Sequence, residues 1–121
     1  MKNRNLKESF NCAWAGIISA FLTQRNMRWH GLAAVAAVTL GWALHIERWE
    51  WGLLSFTIFL VLIAEVMNTA VEKTVDLYTD AYHPVAREAK NIAAGAVLLA
   101  AVAAVVTGII IFGPRFIDYL S

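Results

Sequence analysis

The chain has 121 residues, 60% of them hydrophobic and 16% charged, with a mean hydropathy of +0.59 and a formal net charge of +1. That length suits one domain and is short for two, and a soluble domain so small could not hide this much apolar surface. The even charge balance gives no reason to expect nucleic acid or another acidic partner, so the reading is an all-α integral membrane protein.

Residues 1–28 read as an N-terminal amphipathic surface helix region. Phe10, Trp14, Ile17 and Phe21 recur at helical spacing and make one apolar stripe. Lys2, Arg4, Lys7, Glu8 and Asn11 flank its start, and Thr23, Gln24, Arg25, Asn26 and Arg28 its end. A cleaved signal peptide is the rival reading. Ser19 interrupts its apolar core and no small-residue cleavage site follows Leu22, so the segment is expected to be retained. Cys12, the one cysteine, cannot form an intrachain disulfide and offers no metal-site spacing.

Residues 30–48 are the first expected span, with Gly31–Ile46 as its apolar part and His45 the one titratable group within that part. Glu47 to Trp51 read as a tight polar hairpin, with Trp42, Trp49 and Trp51 as headgroup-level anchors. The second span is expected over 51–76 and a loop over 79–84. A helix over 85–113 carries the third span, Ile92–Phe112, with Pro84 suited to its first turn. The small run Ala93-Ala94-Gly95-Ala96 would let backbones approach. Gly113-Pro114 is read as the helix end and Arg115–Ser121 as a tail. Three spans would put Lys2, Arg4, Lys7, Arg25, Arg28, Lys73, Arg87 and Lys90 on one side, against Arg48 and Arg115 on the other. Such asymmetry predicts a cytoplasmic N-terminus.

The feature that demands explanation is Glu65-Val66-Met67-Asn68-Thr69-Ala70-Val71-Glu72 at the end of a strongly apolar run. Glu65, Asn68 and Glu72 share one helical face, and Asp76 extends it by a turn. A carboxylate facing hydrocarbon costs roughly 2.5–3.5 kcal/mol near a bilayer centre, so the stripe must face protein, water or ligand. A homo-oligomer that buries it between subunits is the natural inference for three helices. Lys90 and Asn91 come from the start of the third helix and Gln24, Arg25, Asn26 and Arg28 from the first turn region, all expected at the same membrane face. Carboxylates there suit magnesium, a lysine suits phosphate, and a second carboxylate can serve as general base. These parts fit phosphoryl transfer, although no GxxxxGK[ST] loop is present. A proton- or ion-coupled membrane protein fits the spacing equally well. Interhelical hydrogen bonding alone would use neutral residues at lower desolvation cost.

At these residues the chain resembles the prokaryotic diacylglycerol kinase and undecaprenol kinase family. The resemblance rests on Gln24-Arg25-Asn26-Met27-Arg28-Trp29-His30, Glu65 to Glu72, Val75-Asp76-Leu77, Tyr82-His83-Pro84 and Ala89-Lys90-Asn91-Ile92-Ala93-Ala94-Gly95-Ala96-Val97. It covers nearly the whole chain, and its RNxRxH and YHP forms resemble the Gram-positive branch, which acts chiefly on undecaprenol. It implies a homotrimer of three-span subunits in the bacterial cytoplasmic membrane. Active sites would be shared at the cytoplasmic face, and the ATP γ-phosphate would pass to a lipid hydroxyl. Glu65 would be the general base, Glu72 would bind magnesium, and Asn68 would hold the site's geometry. Lys90, Asn91, Tyr82 and His83 would meet the nucleotide, with Asn26, Met27, Arg28, Trp29 and His30 at the lipid entrance. Gln24 stands where the family has a second metal-binding glutamate, Asn91 where it has an aspartate, and Cys12 where some members have a tyrosine.

Overall fold

The structure, a computed structural model, describes residues 5–121; Lys2 and Arg4 lie outside the described residues. The described residues form four helices and no strand: α1 (Leu6–Thr23), α2 (Arg25–Ala43), α3 (Arg48–Tyr78) and α4 (Pro84–Leu120). Asn5 caps α1, its side chain accepting from the Glu8 N–H at 2.8 Å. Phe10, Trp14 and Ile17 are exposed, and Phe21 packs on Gly31, where a Cβ would stand 3.0 Å from the ring.

The expected surface segment over 1–28 is divided by the structure. Gln24 is extended, its N–H closes α1 onto the Ala20 carbonyl at 2.9 Å, and Arg25 to Arg28 belong to α2. Arg28 stabilises the break: its Nη1 donates to the carbonyls of Phe21 and Leu22 at 3.1 and 3.0 Å. These are last-turn acceptors without helical partners.

The turn after α2 occupies 44–47, one step earlier than the hairpin expected over 47–51. His45 adopts φ 52° and donates to the Trp42 carbonyl, while the Ile46 N–H reaches the Gly41 carbonyl. This left-handed helix stop seats Ile46 over Gly41, where a Cβ would lie 2.9 Å from Ile46 Cδ1 and 3.1 Å from the Trp51 ring. A β-carbon in the left-handed region costs about 1–2 kcal/mol. His45→Gly is therefore expected to stabilise the fold by about 1 kcal/mol, read as a higher midpoint in thermal or denaturant unfolding. Arg48 to Trp51 are the first turn of α3, held by a capping box in which the Glu47 and Glu50 side chains each accept from the other's backbone N–H. Trp42 and Trp49 remain exposed, whereas Trp51 turns inward against the core.

Most interhelical packing joins α3 to α4. The apolar core, Ile46, Leu54, Ile111 and Phe112, sits near the start of α3 and the late part of α4. Further along the pair, Thr57 and Thr107 share a buried hydroxyl contact at 3.0 Å, and Thr57 also donates to the Leu53 carbonyl. The helix stop expected at Gly113-Pro114 does not occur, for α4 runs through Pro114 to Leu120. Proline there removes one backbone donor. Beyond it Arg115 is clamped: its guanidinium donates twice to buried Glu50 at 2.6 Å and to the Ile111 carbonyl at 2.7 Å. The residues first read as a tail are thus helical and tied to α3. Both α3 and α4 are long and apolar enough to cross a membrane.

Candidate active site

The stripe on α3 is graded in burial. Glu65 is 2% exposed and Asn68 8%, Glu72 is half-buried, and the Asp76 side chain is 58% exposed. The grading follows from position: Glu65 faces α2 and Asp76 lies near the end of α3, opposite the start of α4. Thr69 joins the buried group by donating to the Glu65 carbonyl at 2.9 Å.

Three pairings organise the polar residues. His30 Nε2 lies 3.8 Å from Glu65 Oε2, at ionic-contact distance and beyond a direct hydrogen bond. Asn68 Nδ2 donates to Glu72 Oε1 at 3.1 Å, as the helical spacing allows. Lys90 Nζ donates to Asp76 Oδ1 at 2.7 Å and ties α4 to α3. Among the described residues two buried oxygens are left without a hydrogen-bond partner, Glu65 Oε2 and Asn68 Oδ1. Each such group costs about 1–3 kcal/mol when buried, which marks them as places where a ligand, proton or partner belongs.

Lys90 and Asn91 share a pocket of about 270 Å³ with Asp76, Asp80, Tyr82 and His83. This loop is shaped locally. The Thr79 hydroxyl accepts from the Ala81 N–H at 3.1 Å, and His83 Nδ1 accepts from the Val85 N–H at 3.2 Å, capping α4. A second cavity of about 270 Å³ is an apolar groove between α2, α3 and α4, lined on α3 as far as Val61, one turn before Glu65. It runs from His30 past Ala37 and Thr57 to Phe112.

The remaining expected residues are more scattered. Met27 is buried at 1% exposure, Asn26 and Trp29 face outward, and Arg28 is engaged with the end of α1. Gln24 is half-buried, and its side chain donates to Thr23 Oγ1 at 3.5 Å. Among the described residues no three His, Cys, Asp or Glu side chains converge as a metal cluster. The donors at 68 and 72 nonetheless suit a hard cation. Both are oxygen ligands, one is unpartnered, and magnesium is commonly held by one or two carboxylates plus substrate phosphates.

Sequence reasoning missed the Glu50–Arg115 clamp. The usable signal was topological: helices alternating in direction bring the start of α3 and the end of α4 together. Arg115 is also the one basic residue after Lys90.

These features define an all-helical protein with membrane-length helices and a buried carboxylate–amide site. The chain belongs to the prokaryotic diacylglycerol kinase family, whose profile matches residues 11–112. It is similar to a diacylglycerol kinase of Synechocystis sp., 50% identical over 105 residues that cover 86% of this chain and 60% of the relative. The chain thus spans about 60% of that relative's length. An undecaprenol kinase of Bacillus subtilis is 41% identical over 113 residues, 93% of this chain and 91% of the relative. A diacylglycerol kinase of Escherichia coli K12 is 32% identical over 104 residues, 86% and 85% of the two chains.

Proposed function

We propose that the chain is a membrane lipid kinase that transfers the γ-phosphate of ATP to the primary hydroxyl of a lipid, with undecaprenol preferred to diacylglycerol. The observation that carries this reading is the buried, unpartnered oxygen of Glu65, which lies along α3 between Val61 of the apolar groove and Asp76 of the polar pocket containing Lys90. The groove accepts a hydrocarbon tail and brings a terminal hydroxyl to Glu65. The preference for undecaprenol rests on the RNxRxH and YHP segments and on the near full-length match to the Bacillus relative.

Glu65 takes the hydroxyl proton as the oxygen attacks phosphorus. Asn68 holds Glu72 in place through the hydrogen bond at 3.1 Å. Lys90 exchanges Asp76 for phosphate oxygens, while Asn91, Tyr82 and His83 line the nucleotide side. Asn26, Met27, Arg28, Trp29 and His30 form the lipid entrance. Glu72, with Gln24 as a weaker neutral donor, would hold magnesium, which when bound neutralises charge on the phosphates.

The protein spans the bacterial cytoplasmic membrane three times, through α2, α3 and α4, as a single membrane domain. Its surface helix, N-terminus and active site face the cytoplasm. The eight-to-two division of basic residues supports that orientation. It works as a homotrimer, so that a neighbouring subunit contributes to the site of each chain.

The test is a substrate panel: purified protein, Mg-ATP labelled at the γ-position, and undecaprenol or diacylglycerol in mixed micelles. Labelled lipid phosphate is expected from both, with the higher kcat/KM on undecaprenol. The absence of lipid phosphate, together with proton-linked transport in liposomes, would replace the kinase reading with an ion-coupled one.

A further inference from the structure

A general base buried at 2% exposure gains a proton in every turnover and must lose it before the next. Within the described residues the Glu65 carboxylate has one ionic neighbour, His30, whose Nε2 faces the unpartnered Oε2 at 3.8 Å. The imidazole side chain is 26% exposed against 3% for the carboxylate, so His30 stands between the buried oxygen and the outside. Imidazole can accept a proton at one nitrogen and release one from the other near neutral pH. A gap of this length is closed by a small side-chain shift or bridged by one water, as catalytic contacts often are before substrate binds.

Among the described residues no other titratable group is in ionic contact with Glu65. On the helix of His30 the neighbouring cation, Arg28, is held by the carbonyls of Phe21 and Leu22. From α1, Phe21 packs on Gly31 beside His30. The α4 residues that line the groove, Ala101, Ala104, Thr107, Gly108 and Phe112, carry no titratable group. Among the described residues Glu65 is the one carboxylate of α3 at ionic-contact distance from His30.

We propose that His30 is the positioning and proton-exit partner of Glu65, an inference that rests on Glu65 acting as the base. In the transfer step the lipid oxygen forms a bond to the γ-phosphorus, the bond from that phosphorus to the β,γ-bridging oxygen breaks, and ADP leaves. The hydroxyl proton goes to Glu65 Oε2 and then to His30 Nε2. The imidazolium loses a proton to water at its accessible edge, and exchange with water restores the starting tautomer. Before the reaction the same contact aims Oε2 at the end of the groove where the hydroxyl arrives.

The experiment compares His30→Ala, His30→Gln and Glu65→Gln with the unaltered protein, using undecaprenol micelles and labelled Mg-ATP across pH. His30→Ala is expected to lower kcat by about 10²-fold, within the range for acid–base assistance, while KM for lipid and the melting midpoint change little. Added imidazole should restore kcat in proportion to its concentration, and the acidic limb of the pH–rate profile should move. His30→Gln keeps the packing and should be equally slow. The proposal is overturned if either His30 variant keeps near-normal kcat. It is also overturned if the loss appears in KM with no imidazole rescue and an unmoved pH profile, which would make His30 a packing residue at the lipid entrance. Loss of turnover in Glu65→Gln with normal His30 variants removes only the relay, whereas normal turnover in Glu65→Gln removes the base assignment beneath it.

Discussion

Replacing Glu65 with glutamine is expected to leave a folded protein that binds Mg-ATP and transfers almost no phosphate. The amide preserves the shape of the carboxylate but cannot take the hydroxyl proton, so kcat should fall by about 10²–10⁴-fold, the usual worth of a positioned general base. Stability should move the other way. Glu65 Oε2 is buried without a hydrogen-bond partner, and a charge in that position is a standing cost to the fold. The variant should therefore melt at the same temperature or higher while losing activity, the opposing pattern that marks a residue kept for chemistry. Turnover near that of the unaltered protein would remove Glu65 as base. A variant that is both inactive and strongly destabilised would point to a structural role.

Arg115→Met should have the largest effect on folding of any substitution outside the apolar core. It takes both guanidinium hydrogen bonds from Glu50, which is 3% exposed, and leaves that carboxylate buried and uncompensated. Breaking one side of a buried pair is much more damaging than replacing both sides with apolar groups of similar volume. The double variant Glu50→Leu, Arg115→Met should accordingly recover most of what Arg115→Met loses. The measurement is the unfolding midpoint of both variants in detergent. Equal midpoints for Arg115→Met and the unaltered protein would show that the clamp carries no stability.

The polar residues of the candidate site were more legible in the sequence than the helix ends. Glu65, Asn68 and Glu72 advertise themselves by lying on one face of an otherwise apolar helix, and local spacing is enough to place them. Pro84 likewise marks the start of α4 correctly, because the first turn needs no donor from it. Gly113-Pro114 misleads by the same logic. A proline that locally reads as a stop is carried inside α4, and Arg115 just beyond it is clamped to Glu50, sixty-five residues earlier. The turn at 44–47 is missed because it depends on His45 entering a backbone region usually left to glycine. The His30–Glu65 contact joins two helices whose facing sides no local periodicity reveals.

The apolar core lies beside the Glu50–Arg115 clamp, whereas the Glu65 end is packed by Met27, small residues and polar groups. Mechanically the molecule is a pair of tongs, pinned at one end and held at the other by contacts that exchange cheaply with water or ligand. Opening at the Lys90–Asp76 end therefore need not disturb the pinned end, and such local opening lies far below the cost of unfolding.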